Sequence, residues 1–116
     1  MYEDGIGVLQ NHIKAAELYE VAAGLGNASA QFNLGNMNYE GIGIPQDYVK
    51  AAQWYRKAAE QGHVNAQYKI GFMYENGIGV RKSNIDAKHW YTCAAKRGND
   101  NAHLFANRTT IFKYYC

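Results

Sequence analysis

Asp86, His89 and Cys93 are the residues whose types could hold a metal or attack an electrophile. His89 and Cys93 stand four apart and Asp86 precedes His89 by three, so a helix would set all three on one face. A closed zinc site needs a further ligand pair, and none is suitably spaced. A Cys93–His89 nucleophile pair would need an orienting third group and an oxyanion site, and neither is apparent. The equivalent pairs earlier in the chain are Gln53/Lys57 and Glu17/Val21, which carry no such chemistry. Gly41-Ile42-Gly43 and Gly77-Ile78-Gly79 superficially suggest a phosphate-binding turn. A dinucleotide fingerprint needs a preceding strand and a third glycine in register, and both are missing. Trp54 and Trp90, with Tyr19, Tyr55 and Tyr91, could form an aromatic cage, but they recur in step with alanine pairs. That register assigns them to a core between helices.

The elements that position these residues repeat. Ala15, Ala51 and Ala87 are 36 residues apart, as are Ala22, Ala58 and Ala94, and Gly26, Gly62 and Gly98, with no gap. A fixed period in the range of about 20–50 residues marks a stacked array. Within each period the spacing predicts two helices. One runs from a cap at Asn11, Asp47 or Ser83 to Gly26, Gly62 or Gly98, with Asn and Asp among the strongest capping types. The other spans about Ala28 to Tyr39, Val64 to Glu75, and Asp100 to Ile111. There Ala30, Leu34, Met37 and then Ala66, Ile70, Met73 recur at i, i+4, i+7. Gly41 and Gly77 stop it, and Tyr2 to Val8 reads as the first copy of that turn. Gly35 and Gly71 sit mid-helix, where glycine costs about 1 kcal/mol against alanine, so a close approach is expected there.

Composition narrows the classes. The 116 residues suffice for one modest core, and a net charge of +2 with no basic run argues against a nucleic-acid partner. No apolar run reaches the roughly 18 residues that span a bilayer. The acidic start, Tyr2-Glu3-Asp4, does not read as a secretory signal, so the chain as given reads as soluble, with its compartment open. Two cysteines, Cys93 and Cys116, are too few for a disulfide framework and leave their own pairing open.

Ala66-x-x-x-Ile70-Gly71-x-x-Tyr74-x-x-Gly77-x-Gly79-Val80, followed by Ala87-x-x-Trp90-Tyr91-x-x-Ala94-Ala95-x-x-Gly98, resembles the Sel1-like repeats, relatives of tetratricopeptide repeats. The likeness runs to about Ala106. Leu18 departs from it where Trp54 and Trp90 sit, and Asn38 where Tyr2 and Tyr74 sit. The resemblance implies an all-α, right-handed α-solenoid of antiparallel helix pairs, with a concave groove lined by the first helix of each unit. It implies an adaptor that assembles protein complexes. Roughly three repeats are expected in one domain: a partial unit 1–26, units 27–62 and 63–98, and a degenerate or capping helix 99–116.

By that analogy the groove positions flank the mid-helix glycine. They are Phe32, Asn36 and Tyr39 in one unit, Asn65, Tyr68, Phe72 and Glu75 in the next, and Leu104 and Arg108 in the last. The stripe is aromatic at its centre and polar around it, and Tyr, Phe and Arg are enriched at interfaces. Burial of Phe32 and Tyr68 between units is the competing reading. The expectation is therefore a non-catalytic scaffold binding a peptide or protein, with no metal, no cofactor and no membrane insertion. The alternatives are a cysteine-poor relative of the secreted bacterial β-lactam-binding Sel1-like hydrolases, or a piece of a longer array. In the latter, Ala15, Leu18, Tyr19 and Ala22 would form an uncovered apolar end open to self-association.

Overall fold

The computed structural model describes residues 2–98, with side chains from residue 10 to residue 97. Leu104, Arg108, Cys116 and the expected terminal helix lie outside the described residues. Among the described residues five helices follow one another: α1 (Tyr2–Gly24), α2 (Ala28–Glu40), α3 (Tyr48–Glu60), α4 (Val64–Asn76) and α5 (Asn84–Gly98). Among the described residues there is no strand, and each helix packs chiefly on its neighbours in sequence. Short turns between long helices leave them side by side, which gives a solenoid of helix pairs.

The capping residues act as their types dictate. Asp47 is extended (φ −154°) and its carboxylate accepts from Lys50 N at 3.0 Å, starting α3. Asn27 starts α2 by accepting from Ala30 N at 2.8 Å, and Ser83 Oγ accepts from Asp86 N at 3.2 Å at the start of α5. Gly41 and Gly77 end α2 and α4 at φ +72° and +66°, where their N–H groups donate to Met37 and Met73. Along α3, Ala51, Ala52, Tyr55, Ala58 and Ala59 form one stripe, none more than 3% exposed. Small residues there let neighbouring helices approach, and Tyr55 supplies the bulk.

Two buried amides hold successive units together. Gln31 Nε2 donates to the Ala23 carbonyl and Gln67 Nε2 to the Ala59 carbonyl, both at 3.1 Å. Each pins the first helix of one unit to the last helix of the unit before. The mid-helix glycines explain themselves just as directly. A Cβ on Gly35 would lie 2.8 Å from the Tyr55 ring, and one on Gly71 would lie 3.0 Å from the Tyr91 ring. The close approach expected at these positions is thus ring on backbone.

Three sequence expectations are corrected. The segment from Tyr2 to Val8 does not turn; α1 continues through it, and Asn11 lies inside the helix instead of capping it. The later turns rest on backbone of the preceding unit, Gly43 against the His12 carbonyl and Gly79 against the Tyr48 carbonyl. Over Tyr2–Val8 local i→i+4 bonding wins and the helix runs on. The second correction concerns the apolar end. Tyr19 and Ala22 are partly covered by packing on Ala23, Ala30 and Leu34. The exposed apolar stripe is instead Leu18, Val21 and Leu25, at 71%, 66% and 84% exposure. The third concerns Tyr91 and Trp54, which are only partly buried, whereas Tyr55 is fully buried.

Candidate functional site: the groove on α2 and α4

Phe32 on α2 and Tyr68 and Phe72 on α4 face a common depression of about 460 Å³, which Asn65, Lys69 and Tyr91 complete. Four of its six lining residues are aromatic. Tyr68 and Phe72 are 47% and 43% exposed. Phe32 is half-buried, its ring stacked on His63 at 4.6 Å and tilted against Tyr55 at 5.6 Å. The competing reading of Phe32 as packing between units is therefore partly right, since one ring serves both.

The other expected positions fall nearby. Asn36 lines a neighbouring hollow of about 260 Å³ with Asn33, Glu40 and His12. Its side-chain oxygen accepts from the Tyr55 hydroxyl. Tyr39 lines neither hollow; its ring is edge-on to Tyr48 at 5.0 Å and under the Lys69 ammonium at 5.4 Å. Glu75 accepts from the Tyr91 hydroxyl at 3.2 Å. Burial, with that contact and the Glu75 charge, raises the Tyr91 pKa. Leu104 and Arg108 lie outside the described residues.

Sequence reading missed Lys69, Tyr91 and His63 in this region. Lys69 has Asn33 as its equivalent, so no periodic signal marked it. Tyr91 was hidden by its register with the buried Tyr55. His63 follows the helix-ending Gly62 where Asn27 follows Gly26. It does Asn27's work, since Nδ1 accepts from Ala66 N at 3.1 Å. That contact requires an unprotonated Nδ1, and partial burial lowers the pKa below 6.5.

A pH effect follows. A lowered folded-state pKa means the unfolded chain binds more protons between the two values, so stability rises with pH there. The contribution of His63 is complete above about 6.5 and is lost as pH falls through the folded value. His63→Asn keeps a capping oxygen and removes the titration. Thermal melts from pH 7.5 to 5 should show the wild type losing more stability than the variant, by at most about 1 kcal/mol because a half-exposed ring is screened. Parallel losses in both proteins would rule out the cap as the titrating element.

These groups offer aromatic faces, amides, an ammonium and a carboxylate, which are groups for recognition. Asp86, His89 and Cys93 stand on α5, away from this depression; His89 Nε2 lies 3.8 Å from Cys93 Sγ. Among the described residues no cluster of three His, Cys, Asp or Glu side chains is placed to hold a metal ion. No described helix is long and apolar enough to cross a membrane.

The Sel1 repeat model matches residues 1–27, 28–63 and 64–99. The chain belongs to the Sel1 repeat family. Proteins of this family generally mediate protein–protein interaction and are typically non-catalytic scaffolds. A Sel1 repeat protein from Oxalobacter formigenes is 42% identical, with a TM-score of 0.76 over 93% of this chain and 44% of that one. A protective antigen of uropathogenic Escherichia coli strains, with an SLR fold, is 40% identical, with a TM-score of 0.73 over 90% of this chain and 22% of that one. This chain thus spans less than half the length of either relative. Helicobacter pylori cysteine rich protein B shares the fold at 23% identity, with a TM-score of 0.65 over 88% of this chain and 94% of that one. No curated protein matches.

Proposed function

We propose that this Sel1 array binds a peptide or protein segment in the groove formed by α2 and α4, with the Phe32/Tyr68/Phe72 depression as the anchor point. The observation that supports this is the pair of large side chains left in the open. Tyr68 and Phe72 are 47% and 43% exposed beside an apolar hollow, in an array whose other central aromatic, Tyr55, is fully buried. Solvent-facing aromatics gathered around a concavity are what a hot spot requires. The Asn65 amide and the Lys69 ammonium at the edge supply the polar contacts that orient a bound chain.

The test is an affinity capture from source-cell lysate with the wild type and with Tyr68→Lys/Phe72→Glu. Both substitutions fall on exposed positions, so circular dichroism should find the variant as helical as the wild type. The expected result is loss of a specifically captured protein, at least about 100-fold in affinity, since two hot-spot residues each contribute roughly 2 kcal/mol. A folded double variant that still holds the same partner would remove the groove from consideration.

A second reading is self-association through α1, favoured by the exposed Leu18, Val21 and Leu25 stripe. Sedimentation of Leu18→Lys/Leu25→Glu beside the wild type distinguishes the two: a dimer lost in the variant supports it, and a monomer in both removes it.

A further inference from the structure

A departure from the repeat at Asn38 lies beside a cleft on the side of α2 turned away from the groove. Leu34 and Asn38 lie about 200° and 240° around the helix from Phe32, and they line a cleft of about 650 Å³. Trp54, Ile44, Lys50 and Glu20 contribute other walls. One period on, Tyr74 stands for Asn38, Arg56 for Glu20 and Trp90 for Trp54. There the space is filled. Tyr74 and Trp90 are 8% and 7% exposed in one buried cluster, and the Tyr74 hydroxyl accepts from Arg56 Nη1 at 3.0 Å. In the earlier unit Trp54 is only partly covered, and the shorter Asn38 amide, 3% exposed and donating to the Leu34 carbonyl at 3.1 Å, forms the floor of the cleft.

The polar groups of the cleft have also changed sign. Glu20, an acceptor, replaces the donor Arg56, so a phenol here would donate its O–H. Two lysines face the other way in charge: Lys50 and Lys57 stand two turns apart on α3, with the Lys57 ammonium 4.9 Å from the centre of the Trp54 ring. The Asp47 carboxylate is already engaged in capping α3. The cleft volume falls in the range of small-molecule sites, about 300–1,000 Å³.

We propose that this cleft binds a hydroxyphenyl ring carrying a carboxylate. The ring lies against the partly covered Trp54 and Ile44, above the position that Tyr74 fills one unit later. The phenol donates to Glu20, and the carboxylate meets Lys50 and Lys57. Such a ligand is either a free small molecule or a tyrosine at the C-terminus of a chain, which presents the same groups.

The probe is 3-(4-hydroxyphenyl)propionate, followed through the indole N–H resonances with Trp54 assigned by Trp54→Phe. For a ligand of a dozen heavy atoms the dissociation constant is expected on the order of 1 mM. Asn38→Tyr copies the filled unit and is expected to weaken binding roughly tenfold or more. Lys50→Glu/Lys57→Glu alters only exposed positions, keeps the fold, and is expected to do the same. Tyramine, with the opposite charge, is expected to bind at least about fivefold more weakly. The proposal is overturned by no saturation up to about 10 mM, by undiminished binding to the folded lysine variant, or by equal binding of tyramine. A tyrosine-terminated tetrapeptide that binds more tightly than the probe identifies a chain terminus as the source; an equal or weaker one identifies the free acid.

Discussion

Gly79→Ala is expected to cost about 3 kcal/mol or more and to lower the melting temperature by over about 10 °C. Two separate physical terms act at this one atom. Gly79 sits at φ +68°, where an L side chain is strained by roughly 1–2 kcal/mol. Its Cβ would also lie 2.2 Å from the Tyr48 carbonyl oxygen. That obstacle is backbone at the start of α3, so it cannot swing aside as a flexible side chain would. Relief requires shifting the α4–α5 turn off the preceding unit, which opens the seam between units. Gly24→Ala is the matched control. It has open space around it in the last turn of α1, and alanine there should be neutral or stabilising by up to about 1 kcal/mol. Denaturant melts of both proteins check the pair. Equal, small effects would show that the seam at Gly79 yields at little cost.

Tyr55→Ala is the second large effect, expected at about 3–5 kcal/mol. Tyr55 is fully buried, its ring covers Gly35, and its hydroxyl donates to Asn36. Burial above all, with Glu40 and Tyr39 nearby, drives the pKa of that hydroxyl upward, so it stays a donor throughout the neutral range. Tyr55→Phe removes the hydroxyl alone and should cost about 1 kcal/mol, leaving most of the loss to the ring. The decisive observation is coupling. Gly35→Ala should destabilise the wild type, because its Cβ would meet the ring at 2.8 Å. In the Tyr55→Ala background that clash is gone, and the same substitution should become neutral or stabilising through helix propensity. Additive effects in this double-mutant cycle would mean that Gly35 serves some purpose other than accommodating the ring.

Both predictions depend on contacts between units, and those contacts mark the limit of sequence reading. The helix pairs were legible because the signals are local. Ala30, Leu34 and Met37 share a face by helical spacing, Asp47 and Ser83 are capping types, and Gly41 stops a helix by its tolerance of positive φ. The first turn misled for the converse reason. Its local signals match the later turns, but Gly43 and Gly79 rest on a carbonyl of the preceding unit, a contact that no local pattern reveals.

The candidate groove divides in the same way. Phe32, Asn65, Tyr68 and Phe72 were reachable from the repeat register, because a helix face is a periodic property. Lys69 and Tyr91 were not. Their equivalents, Asn33 and Tyr55, differ in type or in burial, so the period carried no information about them. The cleft beside Trp54 was visible in sequence only as Asn38 breaking a tyrosine series.

By itself the sequence determined the period, the helix pairs, most of their caps and the family, because each follows from residue type and spacing along one chain. The tertiary structure decided where the units touch: which tyrosine is buried and which lines the groove, which histidine nitrogen caps a helix, and where a missing ring leaves a cleft. These depend on distances between residues about 20–40 positions apart, and such distances exist only once the helices have packed.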